Sequence, residues 1–342
     1  MRRSQGEPRR LRCSRKPPSM NPLEADAVGG ILVAVLTYNR LHDTLACLES
    51  VRRLEGPVEA IVALDNGSTD GTPEAIRRAF PEVEVWELGG NLGYAAGNNL
   101  ALRVAQQQGM EGVFLLNNDT LVDPMCLVAL LEAARALPRV GAVGPLVWAW
   151  PPSQGIWALG GEIHWRRAYT THREAGRAAP SQWEPHPVDF VPGCGILLLR
   201  EALETVGGFD ERYFMYWEET DWCQRARRAG FSIWVDPRAQ MWHKAPMDPD
   251  DLSAGALYYM TRNRMLFFRE HTQGVRRWLA LAHAFHGAIR LARRYERGDQ
   301  PERAQAIWEG LHDFLHGRWG PREAEAPVGR MGKEVAWPAS SG

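Results

Sequence analysis

The stretch ILVAVLTYNR, residues 31–40, decides the fold. An unbroken apolar run of this length is the mark of a strand buried on both faces. The polar TYN at 37–39 then carries the chain into a loop. The same pattern recurs along the chain. VEAIVAL (58–64) runs into DNGSTDG (65–71), VEVWEL (83–88) into GGNLGYAAGNN (89–99), and GVFLL (112–116) into NND (117–119), with VGAV (140–143) as a fifth strand. Helical stretches separate them. The first has Asp43 as its expected N-cap and Leu45, Leu48, Val51 and Leu54 on one side. The second starts at Thr72–Pro73, with proline at the tolerated first position. A third runs from about Ala95 to Gly109, and Pro124 opens a fourth. Strand–helix alternation at this spacing predicts an α/β domain, a parallel sheet with helices on both faces. Ligands in such sheets bind at the carboxyl ends of the strands, which here read TYN, DNGSTDG and NND.

Farther along, the pattern changes. Residues 145–190 are rich in Trp, Pro, Gly and His with weak periodicity, and irregular structure over the site is expected there. GEIHWRRAY (161–169) reads as half of a hairpin. CGILLLR (194–200) returns to strand character, EETDWCQRARRAG (218–230) reads as a helix closed by Gly230, and FSIWVD (231–236) is another strand. The carboxy-terminal part is helical, one segment placing Trp278, Leu281, Ala282, Phe285, Ile289, Ala292 and Tyr295 on a single face. A second does so with Ile307, Trp308, Leu311, Phe314 and Leu315.

A formal net charge of −1 argues against general attraction to nucleic acid. The five cysteines lack the close spacing of a zinc or redox motif and read as reduced thiols. No apolar run reaches the roughly 18 residues of a membrane span, and the basic amino terminus is not followed by the apolar core of a secretory signal. A cytoplasmic protein is therefore expected. Residues 1–28 read as a disordered basic arm, and 321–342 as a frayed tail. From Arg262 to Arg297 there are nine arginines and two glutamates, so this helical part could touch the inner face of an anionic membrane, or pack on the catalytic domain or a second subunit.

Several segments carry chemistry-bearing side chains. Asp65, at the end of a buried strand, suits hydrogen bonds from a base or ribose, and the glycines of 89–99 permit close backbone approach to a ligand. Asp119 follows a buried strand, where a lone carboxylate is costly unless it meets a cation or hydrogen bonds. Hard cations take such oxygens and share them with phosphates. In WEETD (217–221), three carboxylates at a helix start repel one another, which raises a pKa toward the working range of a general base. RNR (262–264) offers guanidinium groups suited to phosphate. Each piece alone is equally at home in a turn, a cap or a solvated helix face.

Taken in order, VLTYNR, VALDNGSTDGT, GGNLGYAAGNN, LLNNDT, GGFDERYFMYWEETDWCQRARRAG, MWHK and YYMTRNR resemble glycosyltransferase family two, the inverting enzymes of the GT-A fold, and within it the rhamnosyltransferase-like branch. The likeness spans about residues 31–269. It implies a mixed, Rossmann-like sheet flanked by helices. A catalytic domain would occupy 29–270, with a nucleotide-binding half at 29–144 and an acceptor half at 145–270. A helical region at 271–320 would follow. It implies a nucleotide-sugar donor such as deoxythymidine-diphosphate rhamnose, a glycan or lipid-linked glycan acceptor, and a divalent metal, Mg2+ or Mn2+. By the same likeness Thr37, Tyr38, Asn39 and Asp65 are nucleotide contacts, and Asn91 and Gly93 form a donor-side loop. NND stands in the place of a D-x-D motif: Asp119 is the retained metal carboxylate, Asn117 replaces the first Asp, and Asn118 lies between them on the donor side. His243 completes the metal site, and Arg262 lies near the diphosphate. Glu219 stands where the base belongs, with Glu218 and Asp221 as alternatives. A sugar nucleotidyltransferase and a non-catalytic sugar-binding protein of the same fold are the competing readings.

Overall fold

The computed structural model describes residues 29–246 and 249–322. The expected arm at 1–28, and the expected tail apart from residues 321 and 322, lie outside the described residues. In chain order, β1 (Ile31–Thr37), α1 (Leu41–Val51), β2 (Val58–Asp65), α2 (Thr72–Ala79), β3 (Glu84–Glu87), α3 (Gly93–Gln107) and β4 (Gly112–Asn117) build the alternating half. Then come β5 (Thr120–Val122), α4 (Cys126–Ala136), β6 (Val140–Ala149), β7 (Ile156–Ala158), β8 (Gly161–His164), β9 (Tyr169–His172) and β10 (His186–Pro187). The chain continues with β11 (Gly195–Leu199), α5 (Arg200–Val206), α6 (Glu218–Arg228) and β12 (Ser232–His243), followed by α7 (Ala254–His271), α8 (Gly274–Arg297) and α9 (Pro301–Leu315).

The main sheet runs β10-β12-β6-β11-β4-β1-β2-β3, with β5 pairing β12 and β7 pairing β6. β1 is parallel to both β2 and β4, and β2 to β3, as the alternation predicts. The all-parallel expectation stops at β11, which pairs antiparallel with β4 and with β6. It enters from the long irregular segment rather than from a crossover helix, so nothing obliges it to run with its neighbours. The sheet is mixed, as the resemblance implies.

Alternate residues of the buried strands feed two cores, one per sheet face. Leu32, Ala34, Val113 and Leu115 join the first, and Ile31, Val33, Val35, Phe114 and Leu116 the second. Asp43 does not cap α1. The helix begins two residues earlier, and the Asp43 carboxylate meets Arg40 Nε at 3.1 Å and Lys244 Nζ at 2.6 Å. As expected, residues 161–169 supply the first strand and turn of a hairpin, which Tyr169–His172 completes.

The carboxy-terminal helices pack together, and α7 also packs against the loop that precedes α6. The boundary expected at 270 therefore falls at the end of a helix that belongs to both neighbours. The apolar face of α8 is rotated from the expected one. Ala280, Leu281, Ala284, Ala288, Ala292 and Tyr295 are buried, while Trp278 is exposed. In α9, Ile307, Leu311 and Phe314 face inward and Leu315 outward. Small alanines let helices approach closely, a preference that a pattern search weighted to large side chains passes over.

Candidate active site

The ends of β1, β2 and β4 meet at one rim, and polar side chains lace their loops together. Asn39 N–H donates to Ser68 Oγ (2.7 Å), and Asn39 Oδ1 accepts from Thr69 N–H (2.9 Å). Asp65 is buried and accepts from Ser68 N–H at 3.1 Å, an Asx-type turn. Asn66 Nδ2 donates to Asn91 Oδ1 (3.1 Å), and Asn66 Oδ1 accepts from Leu92 N–H (2.7 Å). Asn118 Nδ2 donates to Thr44 Oγ1 (2.9 Å) and to Asn39 O (3.0 Å). The Thr37 hydroxyl is buried against that of Thr44 at 3.0 Å. Thr37 and Asn118, expected as donor contacts, use these side-chain atoms within the protein. Their side chains are committed to holding the loops, because buried polar groups at a strand end must find partners. Tyr38 stands exposed at the rim, and Asn117 is only half-buried.

Asp119 sits between two cations. Its Oδ2 accepts from Arg40 Nη1 at 2.7 Å, and its Oδ1 lies 3.2 Å from His243 Nε2. Pairing of β12 with β5 places His243 opposite Thr120, which brings it to the NND loop from 124 residues away in sequence (243 minus 119). Burial alone would raise the Asp119 pKa, but the His243 hydrogen bond and charge, with Arg40, outweigh it and hold the carboxyl below its usual range. His243 is raised to about 10, burial being overcome by the Cys194 sulfur and the Asp119 carboxylate. Its Nδ1 is buried and has no partner among the described residues. A cavity of about 440 Å3 lined by Arg40, Leu41, His42, Asp43 and Asp70 opens beside the pair.

The third part is the loop at 212–217. Phe214, Tyr216 and Trp217 have φ of 64°, 65° and 79°, a left-handed conformation that bulky residues adopt only when their surroundings enforce it. Asn263 of α7 enforces it. Its Nδ2 lies 2.7, 2.8 and 2.9 Å from the carbonyl oxygens of Tyr213, Met215 and Tyr216. Arg262 adds to the clamp. It is fully buried and donates to Tyr213 O (3.1 Å), Arg212 O (3.2 Å) and Gly320 O (2.7 Å). Arg262, expected near the diphosphate, has its guanidinium enclosed by carbonyls, away from solvent. Gly93 ties the donor-side loop to this one. It has φ of 77°, and a Cβ there would stand 2.4 Å from Phe214 O. Ala95 N–H donates to the same oxygen at 3.0 Å.

This loop delivers Glu218, Glu219 and Asp221 at the start of α6. Asp221, one of the three candidate bases, is the one whose carboxylate is held in ion pairs. It is buried, with Oδ2 accepting from Arg225 Nε and Oδ1 next to His271 Nε2, each at 2.7 Å. Burial would raise its pKa, but those two partners lower it. The glutamates are the opposite case, with Oε2 of each enclosed and without a partner among the described residues. Burial raises Glu219 to about 7. Burial and then the Glu219 charge push Glu218 well above the usual carboxylate range. Glu219 is half-buried and Glu218 buried, so Glu219 is the more accessible.

Two tyrosines join the parts. Burial raises Tyr216 to about 12, and the charges of Glu218, Asp119 and Glu219 add to it, so all three carboxylates lie within electrostatic reach of one phenol. Tyr94 donates to Gly193 O at 2.6 Å and feels Glu218, Glu219 and Cys194. The candidate base and the Asp119–His243 pair are linked electrostatically through these tyrosines, and the Asp65 turn joins them through Asn66, Asn91 and Gly93. Arg40, Tyr94, Tyr216 and Asn263 are the residues that sequence reading passed over. Arg40 directly follows TYN and Tyr216 directly precedes WEETD, so adjacency was the available signal for both.

Among the described residues, no group of three His, Cys, Asp or Glu could hold a metal ion alone. The Asp119–His243 edge nonetheless fits part of one. Two ligands roughly 2.1 Å from a six-coordinate ion and at right angles stand roughly 3.0 Å apart, against the 3.2 Å between Asp119 Oδ1 and His243 Nε2. Mixed oxygen and imidazole donors suit a first-row divalent ion, and phosphate oxygens would complete its shell.

Known proteins agree with this architecture. The sequence model described as "Glycosyl transferase family 2" matches residues 32–207, just over half the chain. Over 238 residues the chain is 37% identical to the N-acetylglucosaminyl-diphospho-decaprenol L-rhamnosyltransferase of Mycobacterium tuberculosis, covering 62% of this chain and 76% of that one. It is 26% identical over 226 residues to the low-salt glycan biosynthesis hexosyltransferase Agl10 of Haloferax volcanii, covering 63% and 68%. In fold it is similar to a mannosyltransferase from Pyrobaculum calidifontis solved with GDP-Man and Mn2+, with TM-score 0.54, 18% identity, and 84% and 87% coverage. It is also similar to GalNAc-T7 solved with UDP, GalNAc and Mn2+, with TM-score 0.57, 13% identity, and 85% and 58% coverage. The fold is therefore that of the GT-A glycosyltransferases, and the chain is a glycosyltransferase that belongs to glycosyl transferase family 2.

Proposed function

We propose that the enzyme moves a deoxyhexose, with inversion, from a nucleoside-diphosphate donor to a hydroxyl of a lipid-linked N-acetylglucosamine acceptor. The observation that carries the chemistry is Glu219: an unpartnered, enclosed Oε2, a pKa raised to about 7, and a place at the start of α6 within electrostatic reach of the same Tyr216 phenol as Asp119. A base is most effective with its pKa near the working pH. The donor and acceptor classes are supported by the relative's name, N-acetylglucosaminyl-diphospho-decaprenol L-rhamnosyltransferase.

In this reading Asp65, Asn91 and Gly93 shape the cradle for the nucleotide, and Tyr38 flanks its mouth. Glu219 takes the acceptor proton as that oxygen attacks the anomeric carbon and the bond to the diphosphate breaks. Asp119 and His243 would hold a divalent cation, which when bound supplies positive charge opposite the departing diphosphate. Arg40 presents a further cation at the same carboxylate. Arg262 and Asn263 act by fixing the loop that aims Glu219. Four described cysteines are free and buried, which supports a reducing, cytoplasmic setting.

The test is a product assay with deoxythymidine-diphosphate rhamnose and a synthetic N-acetylglucosaminyl-diphospho-polyprenol. Transfer with release of the nucleoside diphosphate supports the reading. Pyrophosphate release from a nucleoside triphosphate would replace it with a nucleotidyltransferase, and absence of turnover with any nucleotide sugar would leave a binding protein.

A further inference from the structure

We propose that the outward face of α8 seats the enzyme on an anionic lipid surface. Val275, Trp278 and Leu279 enter the interface, and Arg276, Arg290, Arg293 and Arg297 meet lipid phosphates. The inward face of α8 is already satisfied by alanines, Leu281 and Tyr295 packed on the neighbouring helices. Its outward face is not. Val275, Trp278 and Leu279 are 73%, 72% and 55% exposed, large apolar side chains gathered in the first two turns.

Charge follows directly behind them. α8 holds six arginines and a single acid, Glu296, which accepts from Trp308 Nε1 at 2.8 Å. Arg294 pairs with Asp250, and Arg277 donates to Thr272 O at 2.9 Å. The other four arginines have no ion pair among the described residues. At 3.6 residues per turn, Val275, Leu279, His286, Arg290, Arg293 and Arg297 fall within a stripe about 60° wide. Trp278 and Arg276 flank that stripe. The chain as a whole carries −1, so this strip is a local concentration of positive charge and not a property of the composition.

An apolar patch with a basic continuation along one helix is the pattern of a helix lying in a bilayer interface, and tryptophan prefers that depth. No described helix is long and apolar enough to cross a membrane. A second copy of the chain is the less fitting occupant, because a two-fold contact through this stripe sets arginine against arginine when the helices run parallel and arginine against the apolar patch when they run antiparallel. The inference rests on the lipid-linked acceptor for its purpose, placing the cleft where such an acceptor resides.

The experiment is flotation of the whole chain with phosphatidylcholine vesicles, with and without phosphatidylglycerol, in low and high salt. No donor or acceptor is present, so failure here leaves the proposed reaction standing. The protein is expected to float only with phosphatidylglycerol and to be released by salt. Each arginine near an anionic surface changes partitioning by about fivefold, so R290E/R293E/R297E should float on the order of a hundredfold less. W278E/L279E should also stay at the bottom. Both variants should retain the parental Tm and turn over a short acceptor lacking the lipid tail. Wild type that ignores anionic vesicles, or variants that float like wild type, would overturn the proposal. So would a wild-type dimer that W278E/L279E converts to monomer without any vesicle binding.

Discussion

Replacing Asn263 with alanine tests how the enzyme aims its base. One side-chain nitrogen is shared among three carbonyls at 2.7–2.9 Å, and these hold three consecutive turns of the chain that include left-handed Phe214, Tyr216 and Trp217. Removing the amide leaves the carbonyls of Met215 and Tyr216 without that donor, at about 1–3 kcal/mol each, while relaxation of a left-handed bulky residue returns part of its cost of about 1–3 kcal/mol. Arg262 still grips Tyr213 O, so the net loss in N263A is expected at about 2–4 kcal/mol, a fall in Tm of roughly 5–10 °C. The loop then relaxes toward right-handed φ, which displaces Glu218 and Glu219. A misplacement of about 1 Å lowers rate on the order of a hundredfold. Steady-state kinetics on the folded fraction should show that loss in kcat, with donor KM raised less, because the donor-side loop meets the relaxing one at Phe214 O while the β1, β2 and β4 loops are held by their own hydrogen bonds. N263D keeps the size but sets a carboxylate against carbonyl oxygens, and should be at least as damaging. A stable N263A enzyme with kcat within about threefold of wild type would show that the loop holds its own shape, and the clamp argument would fail.

Glu219→Gln should lower kcat by roughly two to four powers of ten while a thermal-shift titration shows unchanged nucleoside-diphosphate binding. Because the folded-state pKa of Glu219 is raised to about 7, the wild-type rate should climb through a limb near pH 7 as the carboxylate forms. The same shift predicts that its contribution to stability is fully present below the unfolded value near 4.5 and is lost as pH rises through 7; denaturant titrations of E219Q should lack that dependence. Asp119→Asn should weaken donor use more than acceptor use, and chelator should abolish turnover in wild type; a chelator-resistant enzyme refutes the cation assignment. Gly93→Ala should lose both stability and donor affinity, since its Cβ would collide with Phe214 O at 2.4 Å in a left-handed backbone, and unchanged kinetics and Tm would break the proposed link between the two loops.

Much of the fold could be read from residues 31–117 because buried parallel strands announce themselves as apolar runs, and the loops at their ends are the only polar text between. Asp119, Glu219 and His243 could be singled out because each lies at or next to the end of an element. The surroundings of Arg262 and Asp221 could not be read in the same way. A charged group in sequence looks like a charged group at a surface, whereas here each is buried against partners that include groups 50 residues away (262 minus 212; 271 minus 221). Nothing local marks those distant partners, although Arg225, four residues after Asp221, is a local one. The face of α8 was misjudged because alanine, not tryptophan, makes its buried contacts.

The reversed direction of β11 has a consequence for how the chain is made. β4 is joined to β1 on one side only until residues 195–199 arrive, 78 residues after the strand ends (195 minus 117). Until then its backbone donors and acceptors form an open template for pairing with other chains. In the finished sheet β6 does not cover that edge, because β11 stands between it and β4. A fragment that stops short of β11 would carry the whole alternating half with this edge open and is expected to aggregate, and the emerging polypeptide is expected to need shelter over the same interval.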